Sequence, residues 1–184
     1  MTHYIEIKLL PDQEFSSSLL MNALFAKFHR ALVEAGHGEV GVSFPQANKT
    51  LGDTIRLHGA KVALERLMEI KWLKGLTDYT HVTEIAAVPY NCKYRVVKRV
   101  QAKSSVERLY RRSVKKGWLS AEEAEVKMNA GKEQQFKLPY ILLKSRSTEQ
   151  SFRLFIQHGK ASDSPVSGEF SAYGLSDVAT IPCF

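Results

Sequence analysis

Ile5, Ile7 and Leu9 alternate with Glu6 and Lys8, and that period of two predicts a strand ended by Pro11 and Asp12. The period then changes. Leu20, Leu24, Phe28, Ala31 and Leu32 recur at helical spacing, so a helix is predicted over Ser16 to Ala35, with Gly36 as its stop. Short strands follow at Val40 to Phe44 and Thr54 to His58. Val62, Leu64, Leu67 and Met68 predict a second helix over Val62 to Ile70, and Tyr79 to Val88 reads as a fourth strand. The order βαββαβ predicts a ferredoxin-like fold, two helices on one face of an antiparallel sheet. Such a fold hosts many functions and selects none of them.

The second half is less regular. It predicts a strand over Tyr94 to Gln101, a helix over Ser105 to Lys116, and a short helix over Ala121 to Met128, begun by Ser120 with Glu123 three residues on. Strands are predicted at Tyr140 to Ser145 and Phe152 to His158 around the polar turn SRSTEQ. A Ser/Pro/Gly loop (159–168) precedes a last strand from Phe170 to Leu175. The expected fold class is α+β: a ferredoxin-like domain over 1–90, a boundary near Pro89 to Cys92, and a smaller α+β domain over 91–184 with a basic helix at 105–116.

Composition narrows the function classes. The 184 residues are 44% apolar, enough to build cores, yet no run of about 18 apolar residues predicts a membrane span. The N-terminus reads as a strand, without the basic start and apolar stretch of a signal peptide. Two distant cysteines, Cys92 and Cys183, argue for a reducing cytoplasm and against a disulfide framework or structural zinc. The six histidines show no HxxxH, HExxH or HxH pairing, so neither a metal nor another cofactor is expected.

Charge is the most uneven feature. Nine of the 26 Lys and Arg residues fall between Arg95 and Lys116, against one acid, Glu107, and the remaining 162 residues are nearly neutral. One basic segment on a neutral chain points to a polyanion bound at one place. Ser104 and Glu107 have the spacing of a capping box and Gly117 supplies a stop. On the wheel Val106, Leu109, Tyr110, Ser113 and Val114 gather on one side. Arg108, Arg111, Arg112, Lys115 and Lys116 gather on the other, where mutual repulsion suggests a compensating ligand. The plainer reading is a solvated or membrane-surface helix, although its apolar side lacks the Trp and Phe of a membrane helix. Upstream, Arg99 and Gln101 project to one side of an extended segment; Arg can pair with guanine and Gln with adenine on major-groove edges. Long A-form RNA hides those edges, whereas a short hairpin or a helix end does not.

Several segments together resemble one family. FAKFHRAL (25–32), GVSFP (41–45), KRVQAKS (98–104), ERLYRR (107–112), LKSRST (143–148), FRLFIQHG (152–159) and YGLS (173–176) are similar, in order and spacing, to the type I-F CRISPR repeat-processing endoribonucleases. The resemblance implies metal-free cleavage of precursor RNA at the 3′ base of each repeat hairpin, by a protein that stays bound as a subunit of the RNA-guided surveillance complex. It implies His29 as the catalytic histidine, with Ser145 and Tyr173 as its partners in the active site and Ser147 and Thr148 beside Ser145. It further implies base reading by Arg99 and Gln101, stacking of Phe152 on the terminal base pair, and hairpin contacts from Arg108, Arg111, Arg112, Lys115 and Lys116. Lys115 and Lys116 depart from the family's arginine-rich pattern, replacing bidentate forks with point charges.

The residues suit that chemistry. Metal-free cleavage needs a base for the 2′-hydroxyl, in-line positioning and help for the leaving 5′-oxygen. A histidine titrates near neutrality, and His29 sits at the edge of the apolar stripe. Ser145 is expected to orient the attacking hydroxyl without forming a covalent intermediate, since no Asp is placed to complete a triad. Phe152 is the conflicted residue, because alternation groups it with Leu154 and Ile156 as core. Two rivals stay open: a non-catalytic RNA-binding module, weakened because YIEIKLL and TIRLHG offer one Tyr and no Phe for base stacking, and a DNA-binding protein using the basic helix.

Overall fold

The computed structural model describes residues 1–35, 38–101, 113–118, 120, 122–123, 125–126, 137–145 and 148–184. Strand β1 (His3–Leu9) leads into helix α1 (Ser17–Ala35), followed by β2 (Gly41–Ser43), β3 (Thr54–Gly59) and α2 (Lys61–Glu69). The predicted fourth strand exists in two pieces, β4 (Thr80–Val82) and β5 (Ala86–Ala87), both pairing with β1. Between them Thr83 makes the break. Its backbone N–H donates to the Glu6 carbonyl while its hydroxyl accepts the Glu6 N–H, so a side chain stands in for one rung of the ladder. The order β2-β3-β1-β4, with every adjacent pair antiparallel, is that of a ferredoxin-like sheet.

Alternation decides which face of this sheet the helices cover. Ile5, Ile7 and Leu9 from β1 and Ile55 and Leu57 from β3 are buried with Leu20, Leu24, Phe25, Phe28, Ala31 and Leu32 of α1 and Leu64 and Leu67 of α2. Each such large side chain contributes about 1.5–3 kcal/mol by leaving water. Val62 departs from the sequence reading: it is exposed, and Ala63 takes the buried place in the first turn of α2. The opposite face of the sheet is polar. Glu6 and Arg56 are cross-strand partners on β1 and β3 and form an ion pair at 2.6 Å.

The second sheet contains β6 (Lys93–Val100), β7 (Tyr140–Lys144), β8 (Ser151–His158) and β9 (Thr180–Cys183), in the order β7-β8-β6-β9, all antiparallel. The fold is thus α+β, as the sequence predicted, and the structure adds that the second half also forms an antiparallel sheet. The last strand is the exception. Phe170 to Leu175 is not a strand: Gly174 N–H bonds back to Ser171 O and Ser171 N–H to Leu175 O, closing a turn with Gly174 at φ 69°. The strand lies later, at β9, where Pro182 is tolerated because β9 is an edge. One apolar cluster joins the sheets, running from Ile5 and Phe28 to Ile141, Leu154 and Ile181.

Most of the basic helix, 105–112, lies outside the described residues, as do Gly36 and the Ser104–Glu107 capping box. Its last turn is described: 113–115 is helical, and it ends with Gly117 N–H on Val114 O and Trp118 N–H on Ser113 O. Those two bonds, with Gly117 at φ 73°, are the Schellman stop that Gly117 predicts. The second capping box also forms, Ser120 N–H donating to Glu123 and Glu123 N–H to the Ser120 hydroxyl, each at 3.0 Å. Of the short helix it opens, 122–123 and 125–126 are described as helical. Among the described residues no helix is long and apolar enough to cross a membrane.

Candidate RNA-cleavage site

His29 reaches the surface because α1 is amphipathic at its C-terminal half. Phe25, Phe28 and Leu32 turn inward, and His29 stands half-buried beside them. The Ser171–Leu175 turn brings two groups to it. The Ala172 carbonyl lies 2.7 Å from His29 Nδ1, and the Tyr173 ring stacks on the imidazole with centroids 4.3 Å apart and planes 15° from parallel. A carbonyl can only accept, so Nδ1 carries the proton and the neutral ring keeps its lone pair on Nε2. Tyr173 is held in turn by Phe25, stacked at 6.4 Å and 5°. Gly174 lets the turn press this close: a Cβ there would meet Phe28 at 3.1 Å and Val42 at 3.2 Å.

Arg99 on β6 joins this group. Its guanidinium lies 5.8 Å from the ring centre of Tyr173 and 5.8 Å from that of Phe152. Four predicted residues from four separate segments, His29, Tyr173, Arg99 and Phe152, therefore form one continuous surface. The conflict over Phe152 resolves at the strand start: Phe152 is half-buried at the margin of the cluster, while Leu154 and Ile156 are fully buried. Gln101 follows β6 directly and is exposed.

Ser145 follows β7 and is half-buried. Its backbone N–H donates to Gln150 O and its hydroxyl accepts the Thr148 N–H at 3.3 Å, so it shapes the turn between β7 and β8. It is not bonded to His29, whose side-chain hydrogen bond among the described residues goes to Ala172. The two carriers are nonetheless tied together, since Asn22 Oδ1 on α1 accepts the Leu142 N–H of β7 at 2.9 Å. Thr148 is exposed. Lys115 and Lys116 are exposed at the end of the basic segment, with Lys116 Nζ 4.5 Å from the Trp118 ring centre. Arg108, Arg111, Arg112 and Ser147 lie outside the described residues.

Two other histidines are spoken for. His58 is fully buried with Nε2 2.8 Å from the Ser43 hydroxyl, and burial, helped by Arg56, lowers its pKa to about 3. His158 accepts the Phe44 N–H through Nε2, and burial with nearby Arg95 lowers its pKa to about 4. Both are neutral near pH 7, with Nε2 already engaged. The sequence reading missed the Ala172 carbonyl. A backbone acceptor leaves no mark on residue identity, and only the glycine of YGLS hinted at a turn there.

A family model described as CRISPR-associated protein (Cas_Csy4) matches residues 4–184. The chain is 53% identical over 184 residues to the CRISPR-associated endonuclease Cas6/Csy4 of Escherichia coli (strain UTI89 / UPEC), with all of both chains covered. It is 43% identical over 187 residues to the protein of the same name from Pseudomonas aeruginosa (strain UCBPP-PA14), again end to end. The matched length takes in both sheets, and the chain belongs to the Cas6/Csy4 family of CRISPR-associated endonucleases.

Proposed function

We propose that this endonuclease binds the stem-loop of CRISPR repeat RNA and cuts without metal at its 3′ base, leaving a 2′,3′-cyclic phosphate and a 5′-hydroxyl. The observation that carries the reading is the His29 arrangement. Its proton is parked on Nδ1 by the Ala172 carbonyl, its ring is clamped by Tyr173, and Nε2 is left to take a proton from a 2′-hydroxyl. Ser145 orients that hydroxyl once the RNA draws it toward His29, and Tyr173 keeps the imidazole plane fixed. This mechanism asks for no metal ion.

Recognition is divided between the halves. Residues 1–90 supply the histidine, and residues 91–184 supply the RNA contacts. Phe152 caps the last base pair, Arg99 and Gln101 read base edges beside it, and the segment 105–116 holds phosphates through Arg108, Arg111, Arg112, Lys115 and Lys116, with Ser147 and Thr148 near the scissile strand. The product stays on the protein, which serves as a subunit of the surveillance complex. Incubation with a repeat hairpin in EDTA, followed by analysis of the ends, tests this. Cleavage with a cyclic phosphate, abolished by a 2′-deoxy sugar at the scissile nucleotide, is the expected result. A requirement for magnesium, or cutting of the deoxy substrate, overturns the mechanism.

A further inference from the structure

A second cationic feature lies at the other end of β6 from the His29 surface. Ser43, Arg56, Lys93, Arg95, His158 and Phe184 line a cleft of about 260 Å³ between the two sheets. Two of its permanent cations are answered. Arg56 is held by Glu6 and donates to the Phe184 carbonyl, and exposed Lys93 stands 3.7 Å from exposed Asp163. Arg95 is not. Among the described residues no acid pairs with it, and its Nε is buried without a hydrogen-bond partner. That leaves a cation without a counter-charge on the wall of the cleft, where an entering anion gains a charge-assisted contact. His158 adds a donor, because its Nε2 accepts from Phe44 and its proton therefore sits on Nδ1.

The cleft is in line with the base-reading residues. Alternation puts Lys93, Arg95 and Arg99 on one face of β6, with Val97 buried between the two arginines as a plug in the seam. Arg95 and Arg99 thus mark two mouths about 13 Å apart along the strand, a short path for an extended chain. Phe184, 44% exposed at the lip, puts an aromatic beside the cations, the makeup of sites that hold single-stranded nucleic acid. At the base of a stem two strands leave. The 3′ strand is committed to His29 and is released by cleavage, whereas the 5′ strand remains joined to the hairpin.

We propose that this cleft is a second RNA subsite, a phosphodiester pocket for the single-stranded segment 5′ of the hairpin, with Arg95 as its central donor. The proposal rests on the endoribonuclease reading above. The test measures affinity across a salt series for three RNAs with a deoxy scissile nucleotide: the bare hairpin, the hairpin with a short 5′ extension, and the hairpin with a 3′ extension. The 5′ extension is expected to tighten binding about tenfold and steepen the salt dependence by about 0.7 per phosphate held. Arg95→Gln, and separately Lys93→Gln at an exposed position that spares the fold, should erase that gain and leave the 5′-extended RNA bound like the bare hairpin. No gain from the 5′ extension, a gain confined to the 3′ extension, or equal losses on all three RNAs overturns the proposal. Capture of a poly-glutamate peptide by the wild type and not by Arg95→Gln, with no 5′ gain, assigns the cleft to an acidic protein partner and overturns it as well. Failure to bind the bare hairpin is a different result, because it removes the endoribonuclease reading itself.

Discussion

The β2–β3 interior and the outer surface of α1 each hold a histidine, and they treat it in opposite ways. In the interior, His58 and Ser43 make a direct hydrogen bond of 2.8 Å, the pairing a search for a nucleophile and its base would select. Yet His58 is sealed from solvent and its pKa is lowered to about 3 by burial, so the pair can neither meet a substrate nor exchange protons near neutrality. At the surface, His29 and Ser145 are not bonded to each other. One nitrogen of His29 is fixed by a carbonyl, its ring is stacked, and the residue stands half-buried at the surface. The difference teaches that a direct Ser–His hydrogen bond is no mark of a working site when the pair is sealed from any substrate. The Ser43–His58 pair is architecture, sealed in the core with His58 Nδ1 buried and without a hydrogen-bond partner.

The sharpest way to break that contrast is to remove each ring. His29→Ala should lower the single-turnover cleavage rate about 10²–10⁴-fold, the range for loss of a positioned general base, while hairpin affinity is retained. His58→Ala should do the reverse. It strands the buried Ser43 hydroxyl and opens a cavity, costing at least about 1–3 kcal/mol of stability in urea titrations, with the rate per folded molecule retained. A His58→Ala protein that is as stable as wild type yet inactive would invert the assignment of the two regions.

Gly174 offers a smaller perturbation of the surface site alone. Its φ of 69° is unfavourable for alanine by about 1–2 kcal/mol, and the added Cβ presses on Phe28 and Val42. The neighbouring residues in the chain are Tyr173 and, before it, Ala172, the two that fix His29. Gly174→Ala should therefore slow cleavage about tenfold at saturating RNA with a modest loss of melting temperature. If cleavage keeps its wild-type rate while stability falls, the turn supports the fold without positioning the histidine.

The parts legible in the sequence share a physical trait. Elements set by periodicity or by local capping were readable: Ile5, Ile7 and Leu9 on one face of β1, the α1 stripe, the Ser120–Glu123 box and the Gly117 stop all form as their residues dictate. What failed depends on partners distant in sequence. Phe170 to Leu175 has strand-forming residues, but the packing of Gly174 between Phe28 and Val42 selects a turn. Pro182 disguises β9, which is a strand only because β6 pairs with it. The convergence of His29, Arg99, Phe152 and Tyr173 was reached through family resemblance, since residues 29 and 173 share no local signal. The Ala172 carbonyl and the unpaired Arg95 Nε left no signal of any kind.

The mildest prediction separates the two regions by acid alone. His58 and His158 bind protons less readily in the fold than in the unfolded chain, where a histidine titrates near 6.5; their folded values are about 3 and about 4. Between those values and 6.5 the unfolded chain binds more protons, so stability falls as pH falls, by about 1.4 kcal/mol per pH unit for each histidine at full effect. Above about pH 7 both are neutral in either state and the dependence from them vanishes. Denaturant titrations from pH 7.5 to 5 should show the midpoint dropping with pH, and His58→Gln should flatten the slope toward half. A slope that ignores His58 would mean that the interior pair is open to solvent, and the contrast between the two regions would be lost.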